Sequence, residues 1–189
     1  MKRRRGKMLC FICRKGVTIQ VHRGKRVYFK CLLCHKLSER YYELFGKTKV
    51  KKTFRGPMHF SAGALIEKKG KYLVSKRTFY PYMYTLIGGH VDKGETMEAA
   101  LKREVKEETG LKILDKKLIF RGIIGIDSCT KGVNIHYWNL FLIHATGKLK
   151  TNYHESVHLR WLTKKQMKHL HFIPPLTFIF EKLSFFKNV

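Results

Sequence analysis

The sequence predicts an α/β fold that is preceded by a small segment organised around cysteines. Four of the five cysteines form two C-x2-C pairs, Cys10 with Cys13 and Cys31 with Cys34. Beyond residue 57, short apolar strand patterns precede a helical pattern at residues 96–109. The change in composition between these parts predicts two domains, residues 1–56 and residues 57–189.

The chain is strongly basic. Its 189 residues include 40 Lys and Arg but only 13 Asp and Glu, a formal net charge of +27. The first 56 residues alone hold 18 basic and two acidic residues, a net charge of +16. This surplus opposes self-association and favours polyanionic partners such as nucleotides, RNA, DNA, ribosomes or anionic lipid. A hydrophobic content of 44% is enough for a packed core and excludes global disorder.

No stretch of the sequence predicts a membrane span or a secretion signal. The longest apolar candidate, residues 172–180, contains Pro174 and Pro175 and is shorter than the roughly 18 residues that cross a bilayer. The chain starts with a basic run at residues 2–5, but no apolar region of a signal peptide follows that run. We therefore expect a cytoplasmic protein.

The cysteine spacing predicts a zinc site. Two-residue gaps let both thiolates of a tight turn face one ion, and four thiolates complete the tetrahedron that Zn²⁺ accepts. A site closed by Cys10, Cys13, Cys31 and Cys34 has no position for a catalytic water. The alternative is a pair of disulfides in a secreted domain, which the missing signal peptide disfavours. We therefore predict a structural zinc ribbon whose metal supplies most of its folding free energy.

The residues between the two pairs predict a β-hairpin with a turn at residues 23–25, because apolar residues alternate on both sides of it. Gly16 is predicted to take the positive φ that closes a thiolate turn. Cys129 stands apart from the pairs and is predicted to be a buried apolar filler.

The surface of the ribbon leaves two interpretations open. Basic runs at residues 2–5, 23–26 and 47–55 are interleaved with aromatic residues, a mixture typical of phosphate contacts and base stacking. The aromatic residues are Tyr28, Phe29, Tyr41 and Tyr42. The other interpretation is a solvated basic surface whose aromatic residues pack a small core. RNA or another polyanion is therefore one candidate partner.

The second part of the chain concentrates its acidic residues on one predicted helix. Residues 62–66 and 71–76 are predicted strands joined by a turn at 68–70, and Thr96 and Gly110 are predicted to cap the following helix. Six of the 13 acidic residues of the chain lie between Asp92 and Glu108.

The acidic residues of this helix are placed as in a metal site. At about 100° per residue, Glu104, Glu107 and Glu108 fall within an arc of about 100° that overlaps the apolar stripe. Like charges three and four residues apart repel each other, and a divalent cation would relieve this repulsion. Carboxylate oxygens suit Mg²⁺ or Mn²⁺ better than Zn²⁺. The alternative interpretation is a structural acidic face, which would place its carboxylates on the opposite, lysine-bearing side.

The residues from Gly89 to Leu111 match a known pattern. They fit G-x5-E-x7-R-E-U-x-E-E-x-G-U, where U is aliphatic, at nine fixed positions over 23 residues. In this respect the chain resembles the Nudix hydrolases from about residue 59 to its C-terminus. The resemblance implies an α/β/α sandwich around a mixed sheet. It also implies hydrolysis of a nucleoside diphosphate linked to a further group X, with water attacking phosphorus.

The resemblance also implies roles for individual residues. Coordination of Mg²⁺ or Mn²⁺ is assigned to Glu104, Glu107, Glu108 and the carbonyl of Gly88 or Gly89, and one glutamate also handles the proton of the attacking water. Arg103 and Glu95 are expected to pair and to orient the loop against the helix. Glu155 is a candidate for the further glutamate that some members supply from a late loop, or else a surface residue.

The order of a ribbon followed by this motif resembles the NADH pyrophosphatase subfamily. Residues 118–130 lack the S-Q-P-W-P-F-P-x-S stretch of that subfamily, so ADP-ribose-like compounds, NADH, nucleoside triphosphates, dinucleoside polyphosphates and RNA 5′ ends stay open as substrates. Nearby aromatic residues could stack on a base or belong to the core: Phe79, Tyr80, Tyr82, Tyr84, Tyr137 and Trp138. The alternative function is an RNA- or ribosome-binding protein that uses the fold as a scaffold. The oligomeric state stays open.

Overall fold

The computed structural model describes residues 7–44, 46–127, 129–150 and 156–187. The N-terminal part forms two small antiparallel sheets. The strands are β1 (Lys7–Cys10) paired with β5 (Tyr41–Leu44), and β2 (Thr18–Arg23), β3 (Arg26–Cys31) and β4 (Leu37–Ser38) in that order. Strands β2 and β3 form the predicted hairpin, with Gly24 at a φ of 58° in its turn.

In β2 the apolar alternation does not mark the buried face, although Phe29 of the same pattern in β3 is buried. Val17 and Ile19 are 40% and 45% exposed, while Thr18 between them is buried. A segment of this size encloses too little volume to cover both faces of a sheet. The pattern therefore predicted the strands correctly, while the buried face of β2 carries Thr18.

Within the described residues, a larger sheet of eight strands follows, in the order β11-β12-β7-β8-β13 with β6 and β10 also paired to β7 and β9 to β8. The strands are β6 (Val50–Thr53), β7 (Gly56–Lys68), β8 (Lys71–Arg77), β9 (Tyr84–Thr85), β10 (Ile87–His90), β11 (Lys112–Ile124), β12 (Ile135–Thr146) and β13 (Ser156–Leu162). Strands β7 and β12 are parallel and the other neighbouring strands of this sheet are paired antiparallel, so the sheet is mixed.

Helices cover the two faces of this sheet. They are α1 (Met97–Thr109), the short α2 (Lys164–Met167) and α3 (Pro174–Lys182). Along β7, Ala64 and Ile66 pack with Leu101 of α1, whereas Leu65 faces the opposite core and packs with Ile179 of α3. This alternation is what a strand buried on both faces requires. The expected α/β/α sandwich with a mixed sheet is therefore confirmed.

The predicted boundary at residue 56 falls next to a strand of the large sheet. Strand β6 lies before that boundary, yet Val50 is paired with His59 of β7. Thr48 forms a further bridge to Asp92, which follows β10. The basic stretch from residue 47 is thus attached to the large sheet, and the division into two domains stays a prediction.

Strands β1 to β5 (residues 7–44), which we call the cysteine segment, pack against the loop between β11 and β12. The described residues of this loop are 125–127 and 129–134, and we call it the β11–β12 loop. Arg40 Nε donates to the carbonyl of Cys129 at 2.9 Å, and the Tyr41 amide donates to the carbonyl of Thr130 at 2.9 Å. The Lys131 ammonium lies 2.9 Å from the Glu43 carboxylate. These contacts hold the small sheets beside the large one.

No helix in the described ranges is both long enough and apolar enough to span a bilayer.

Candidate functional site

Helix α1 begins and ends at the predicted residues. Thr96 Oγ1 accepts a hydrogen bond from the Ala99 amide at 3.1 Å, which satisfies one of the free amides of the first turn. Gly110 has a φ of 72° and its amide donates to the Lys106 carbonyl at 3.0 Å. Glycine adopts this left-handed conformation without steric cost, so the helix ends there.

Two acidic side chains of α1, Glu104 and Glu108, point at strand β10. Glu104 and Glu108 are only 8% and 6% exposed, and Glu108 Oε1 accepts a hydrogen bond from the Gly88 amide at 3.1 Å. A methyl group on Gly89 would collide with the Glu104 carboxylate. The structure therefore brings two buried carboxylates against a glycine pair, where carbonyl and carboxylate oxygens can bind one hard cation.

Glu107 differs from its two neighbours because its side chain is 55% exposed. It lies at the rim of the same cleft, where the Arg103 guanidinium approaches it at 3.3 Å. A carboxylate at this position can contact a metal or a water from the solvent side.

Arg103 ties the loop before the helix to the helix itself. Its Nε and Nη2 each lie 3.0 Å from one oxygen of Glu95, and Nη2 also donates to the His90 carbonyl at 3.0 Å. Its Nη1 donates to Glu104 Oε1 at 2.6 Å. These bonds join Glu95, β10 and the carboxylate face of α1 into one network. The expected pairing of Arg103 with Glu95 is present, and its role in positioning the site stays a proposal.

We expect Arg103→Lys to lower the free energy of unfolding by about 2 kcal/mol, because a lysine cannot replace the two-pronged bond to partly buried Glu95. Urea denaturation of wild type and variant would measure this loss. Arg121→Lys makes the same exchange at an exposed site and should change stability by less than about 0.5 kcal/mol. Equal stabilities of all three proteins would contradict the prediction.

The ion pair between Arg103 and Glu95 also predicts that the stability of the protein depends on pH. Hydrogen bonds from Arg103 lower the pKa of Glu95 below its ordinary value of 4.5. The stabilisation is therefore complete above the pKa of the unfolded state and is lost as the pH falls through the lower pKa of the folded state. The stability difference between wild type and Arg103→Lys should shrink when urea denaturation is repeated below about pH 4. A difference that stays constant down to pH 2 would contradict this.

One cleft of about 810 Å³ joins these groups to the cysteine segment. Its floor is formed by Gly88 and Gly89 together with Glu104, Glu107 and Glu108 of α1. One wall is formed by the β2–β3 hairpin and Tyr41. The β11–β12 loop contributes Thr130 and Lys131 to its rim. This volume lies within the range typical of small-molecule sites.

Two cationic residues of the cleft were not found by sequence reasoning. Arg77 ends β8, is half-buried, and donates from Nη2 to the Tyr80 carbonyl at 2.9 Å. Lys131 reaches the cleft from the β11–β12 loop and binds Glu43 and Thr48. Neither residue stands at a motif position, so no spacing in the sequence signals them.

Some of the aromatic residues near the motif belong to the core, and others face the cleft where a base could stack. Trp138 is 8% exposed and belongs to the core on the α3 side, and Tyr84 packs against the same core. Tyr137 packs on Phe60. Phe79 and Tyr80 line the cleft and are partly exposed, so a planar base can reach them.

The four cysteines of the paired motifs converge. All five cysteines of the chain lie in the described ranges and none forms a disulfide, so the disulfide alternative is not supported. The sulfurs of Cys10 and Cys34 are 3.7 Å apart, as are those of Cys13 and Cys31. Four sulfurs at about 2.3 Å from one tetrahedral zinc are about 3.8 Å apart. The cluster therefore fits Zn²⁺.

Gly16 does not have the positive φ that was predicted for it. Arg14, not Gly16, has the positive φ in this turn, at 60°. Gly16 is buried, and a Cβ on it would lie 2.5 Å from the Cys31 sulfur. The position requires glycine because the backbone passes directly over the cysteine cluster.

The prediction for Cys129 was correct about burial and wrong about its surroundings. Its sulfur lies 3.4 Å from His90 Nε2 and 4.0 Å from His59 Nδ1, so it faces imidazoles. Burial lowers the pKa of both His59 and His136 to about 3, so these rings are neutral at pH 7. Glu155, the candidate late glutamate, lies outside the described residues.

Comparison with known proteins gives the same fold and motif. The family model of the NUDIX domain matches residues 57–180. The MutT protein of Methanosarcina mazei Go1 superimposes with a TM-score of 0.59 and 21% identity over 72% of this chain and all of that one. A MutT NUDIX hydrolase from Burkholderia pseudomallei superimposes with a TM-score of 0.51 and 24% identity over 57% of this chain and 84% of that one. These likenesses establish the fold.

Characterised relatives have different named activities. Nucleoside triphosphatase NudI from Enterobacter sp. (strain 638) is 29% identical over 116 residues, 56% of this chain and 82% of that protein. ADP-ribose pyrophosphatase from Methanocaldococcus jannaschii is 40% identical over 77 residues, 39% of this chain and 46% of that protein. NAD-capped RNA hydrolase NudC from Vibrio vulnificus is 34% identical over 85 residues, 45% of this chain and 30% of that protein. On the match over residues 57–180, the chain belongs to the Nudix family and is a Nudix hydrolase.

Proposed function

We propose that the protein is a Mg²⁺- or Mn²⁺-dependent pyrophosphatase that cleaves a nucleoside diphosphate linked to a further group X. Water attacks phosphorus, the phosphoanhydride bond breaks, and the products are a nucleoside monophosphate and phosphorylated X. The observation that carries this proposal is the pair of buried carboxylates, Glu104 and Glu108, packed against Gly88 and Gly89 at the floor of the cleft.

Each group of the site has a task in this reaction. Glu104, Glu107 and Glu108, with a carbonyl of the glycine pair, would hold the divalent cation, because hard oxygen donors are what Mg²⁺ prefers. Such a cation, when bound, neutralises phosphate charge and lowers the pKa of water. Arg103 and Glu95 keep the glutamates and β10 in register through their shared hydrogen bonds. Glu107, the most exposed of the three, is the candidate to accept the proton of the attacking water.

The walls of the cleft suit a nucleotide. Arg77 and Lys131 line the cleft and would supply positive charge to the phosphates, and Phe79 and Tyr80 would present aromatic surface to a base. The β2–β3 hairpin contributes His22, Gly24 and Lys25 to the opposite wall. The group X would therefore meet the cysteine segment, which makes that segment a candidate for determining substrate specificity.

A panel of substrates tests the proposal. The wild-type chain with Mg²⁺ or Mn²⁺ is incubated with ADP-ribose, NADH, nucleoside triphosphates, dinucleoside polyphosphates and RNAs bearing a 5′ cap or 5′ triphosphate. We expect metal-dependent hydrolysis of at least one of them, with nucleoside monophosphate released from those of the X-linked type. A chain inert towards the whole panel would favour the second candidate function.

That second candidate is binding of RNA through the basic cysteine segment, with hydrolysis absent or secondary. Arg23 and Lys25 are exposed at the turn of the β2–β3 hairpin, and Lys25 lines the cleft mouth. Exposed cations beside a nucleotide-sized cleft would contact the phosphates of a strand entering it.

We expect Arg23→Ala/Lys25→Ala to weaken RNA binding of the full chain and to lower the steepness of its salt dependence. Each lost phosphate contact on a single strand should reduce the log–log slope by about 0.7. Lys102→Ala/Lys112→Ala removes the same charge from exposed residues outside the cleft. Fluorescence anisotropy with labelled RNA at several salt concentrations measures the affinity and the slope for each variant. Equal slopes for the two variants would contradict a specific role for the hairpin.

A further inference from the structure

Four side chains that belong to neither the glutamate site nor the cysteine pairs converge beside the cleft. They are His59 on β7, His90 on β10, Cys129 in the β11–β12 loop and His136 on β12. One nitrogen of each histidine and the sulfur of Cys129 all lie within 4.8 Å of one another. We call these residues the histidine–cysteine cluster.

The sheet itself brings the histidines together. Strands β7 and β12 run parallel, and His136 is paired directly with His59. Strand β10 pairs with the other edge of β7, where His90 is opposite Ser61, two residues beyond His59. Residues two apart on a strand share a face, so all three imidazoles point to the same side of the sheet. The loop then places Cys129 over them.

Two of the distances within the cluster are close to those of a tetrahedral zinc site, and the atoms of the cluster all lie within 4.8 Å of one another. His90 Nε2 and His136 Nε2 are 3.2 Å apart, and the Cys129 sulfur lies 3.4 Å from His90 Nε2 and 4.0 Å from His59 Nδ1. Zinc bonds of about 2.05 Å to nitrogen and 2.3 Å to sulfur at tetrahedral angles give about 3.3 Å between nitrogens and 3.6 Å between nitrogen and sulfur. An ion therefore fits between these atoms with small movements of the side chains.

The environment of the cluster is also that of a metal site. His59, Cys129 and His136 are 3%, 5% and 1% exposed, so these polar groups are removed from water. An Asp127 oxygen lies 3.3 Å from Nδ1 of His136, the ring nitrogen that faces away from the cluster. The contact is not aligned as a hydrogen bond in this structure. The negative charge of the carboxylate at this distance still favours the tautomer with its proton on Nδ1, which leaves the lone pair of Nε2 for the cluster. This carboxylate–histidine arrangement is common behind metal-bound imidazoles.

We propose that His59, His90, Cys129 and His136 bind a second Zn²⁺, separate from the ion of the cysteine pairs and from the catalytic cation. Three imidazoles and one thiolate are borderline and soft donors that select zinc, whereas the neighbouring glutamates offer hard oxygens that select Mg²⁺ or Mn²⁺. Four protein ligands close the tetrahedron, so this zinc is structural.

The position of the cluster indicates what this zinc holds in place. Cys129 and Thr130 offer the carbonyls that accept hydrogen bonds from Arg40 and Tyr41 of the cysteine segment. His90 directly follows the glycine pair at the floor of the cleft. An ion joining Cys129 to β7, β10 and β12 therefore fixes the wall of the cleft against its floor.

The zinc content of the full chain tests the proposal. Protein expressed with added zinc and purified without chelator should contain about two Zn²⁺ per chain by elemental analysis, and Cys129→Ser about one. His144→Gln replaces an exposed histidine that binds Asp115 and Glu67, and this control should keep about two. Equal zinc content in wild type and Cys129→Ser would overturn the proposal.

A second measurement needs no variant. Two ions, one with four sulfurs and one with three nitrogens and one sulfur, give an average of about 2.5 sulfurs and 1.5 nitrogens per zinc in X-ray absorption at the zinc edge. A spectrum with sulfur ligands alone would overturn the second site even if Cys129→Ser fails to fold.

The role of this zinc in holding the β11–β12 loop can be measured separately. In Cys129→Ser, hydrogen exchange at the Tyr41 amide should accelerate at least about tenfold, because its acceptor carbonyl on Thr130 is no longer held. The Ala99 amide, bonded to Thr96 at the start of α1, is the internal control and should be unchanged. Unchanged exchange at Tyr41 would overturn the role of the ion in fixing this wall.

Discussion

Replacing Glu108 with glutamine is expected to lower kcat at least about 100-fold at saturating Mg²⁺, which corresponds to about 2.7 kcal/mol of lost transition-state stabilisation. Glutamine keeps the size of the side chain and the oxygen that accepts from the Gly88 amide at 3.1 Å, but it removes the charge that binds the cation. The free energy of unfolding should stay level or rise, because the repulsion between Glu108 and buried Glu104 is relieved. Steady-state hydrolysis and urea denaturation of the same preparation measure the two quantities.

The control for this prediction is on the same helix. Glu98 is 64% exposed and pairs with Lys116 at 2.9 Å, on the surface and outside the cleft. Glu98→Gln should leave kcat unchanged and alter stability by less than about 1 kcal/mol. Equal activities of Glu108→Gln and wild type would contradict a catalytic role for this carboxylate.

Replacing Cys31 with serine is expected to remove one zinc ion and to unfold the cysteine segment while the large sheet stays folded. Cys31 is fully buried, and its sulfur accepts backbone hydrogen bonds from Leu33 and Cys34 at 3.3 Å. A segment this small has little apolar core, so the metal supplies most of its stability. Hydrogen exchange should show lost protection in β2 and β3 and retained protection in α1.

The same substitution should also affect catalysis, because the β2–β3 hairpin forms one wall of the cleft. We expect KM to rise more than kcat falls, since the glutamates of α1 remain in place. Leu33→Ser is the matched control: Leu33 lies in the same turn but is 60% exposed, so its loss should change neither zinc content nor folding. A Cys31→Ser variant with full zinc content and intact protection in β2 and β3 would contradict the zinc ribbon.

Local features of this protein could be read directly from its sequence. Thr96 and Gly110 bound the helix because a hydroxyl cap and a left-handed glycine act within one turn. The two-residue gaps likewise predicted that the two thiols of each C-x2-C pair share one tight turn, because such a turn is also local. The reason given for Gly16 failed because its need for glycine comes from the Cys31 sulfur, 15 residues away, and not from its own φ.

The sequence by itself determined the Nudix motif, the glutamate face of α1 and the cysteine pairs, because each consists of residues close in the chain whose spacing sets their geometry. Only the tertiary structure decided that the cysteine segment forms a wall of the cleft and that Arg77 and Lys131 enter it. It also decided that His59, His90, Cys129 and His136 meet. These four come from three strands and a loop, and strand pairing joins them without any fixed separation along the chain. Such a cluster leaves no periodic pattern, so the fold had to be known before it could be seen.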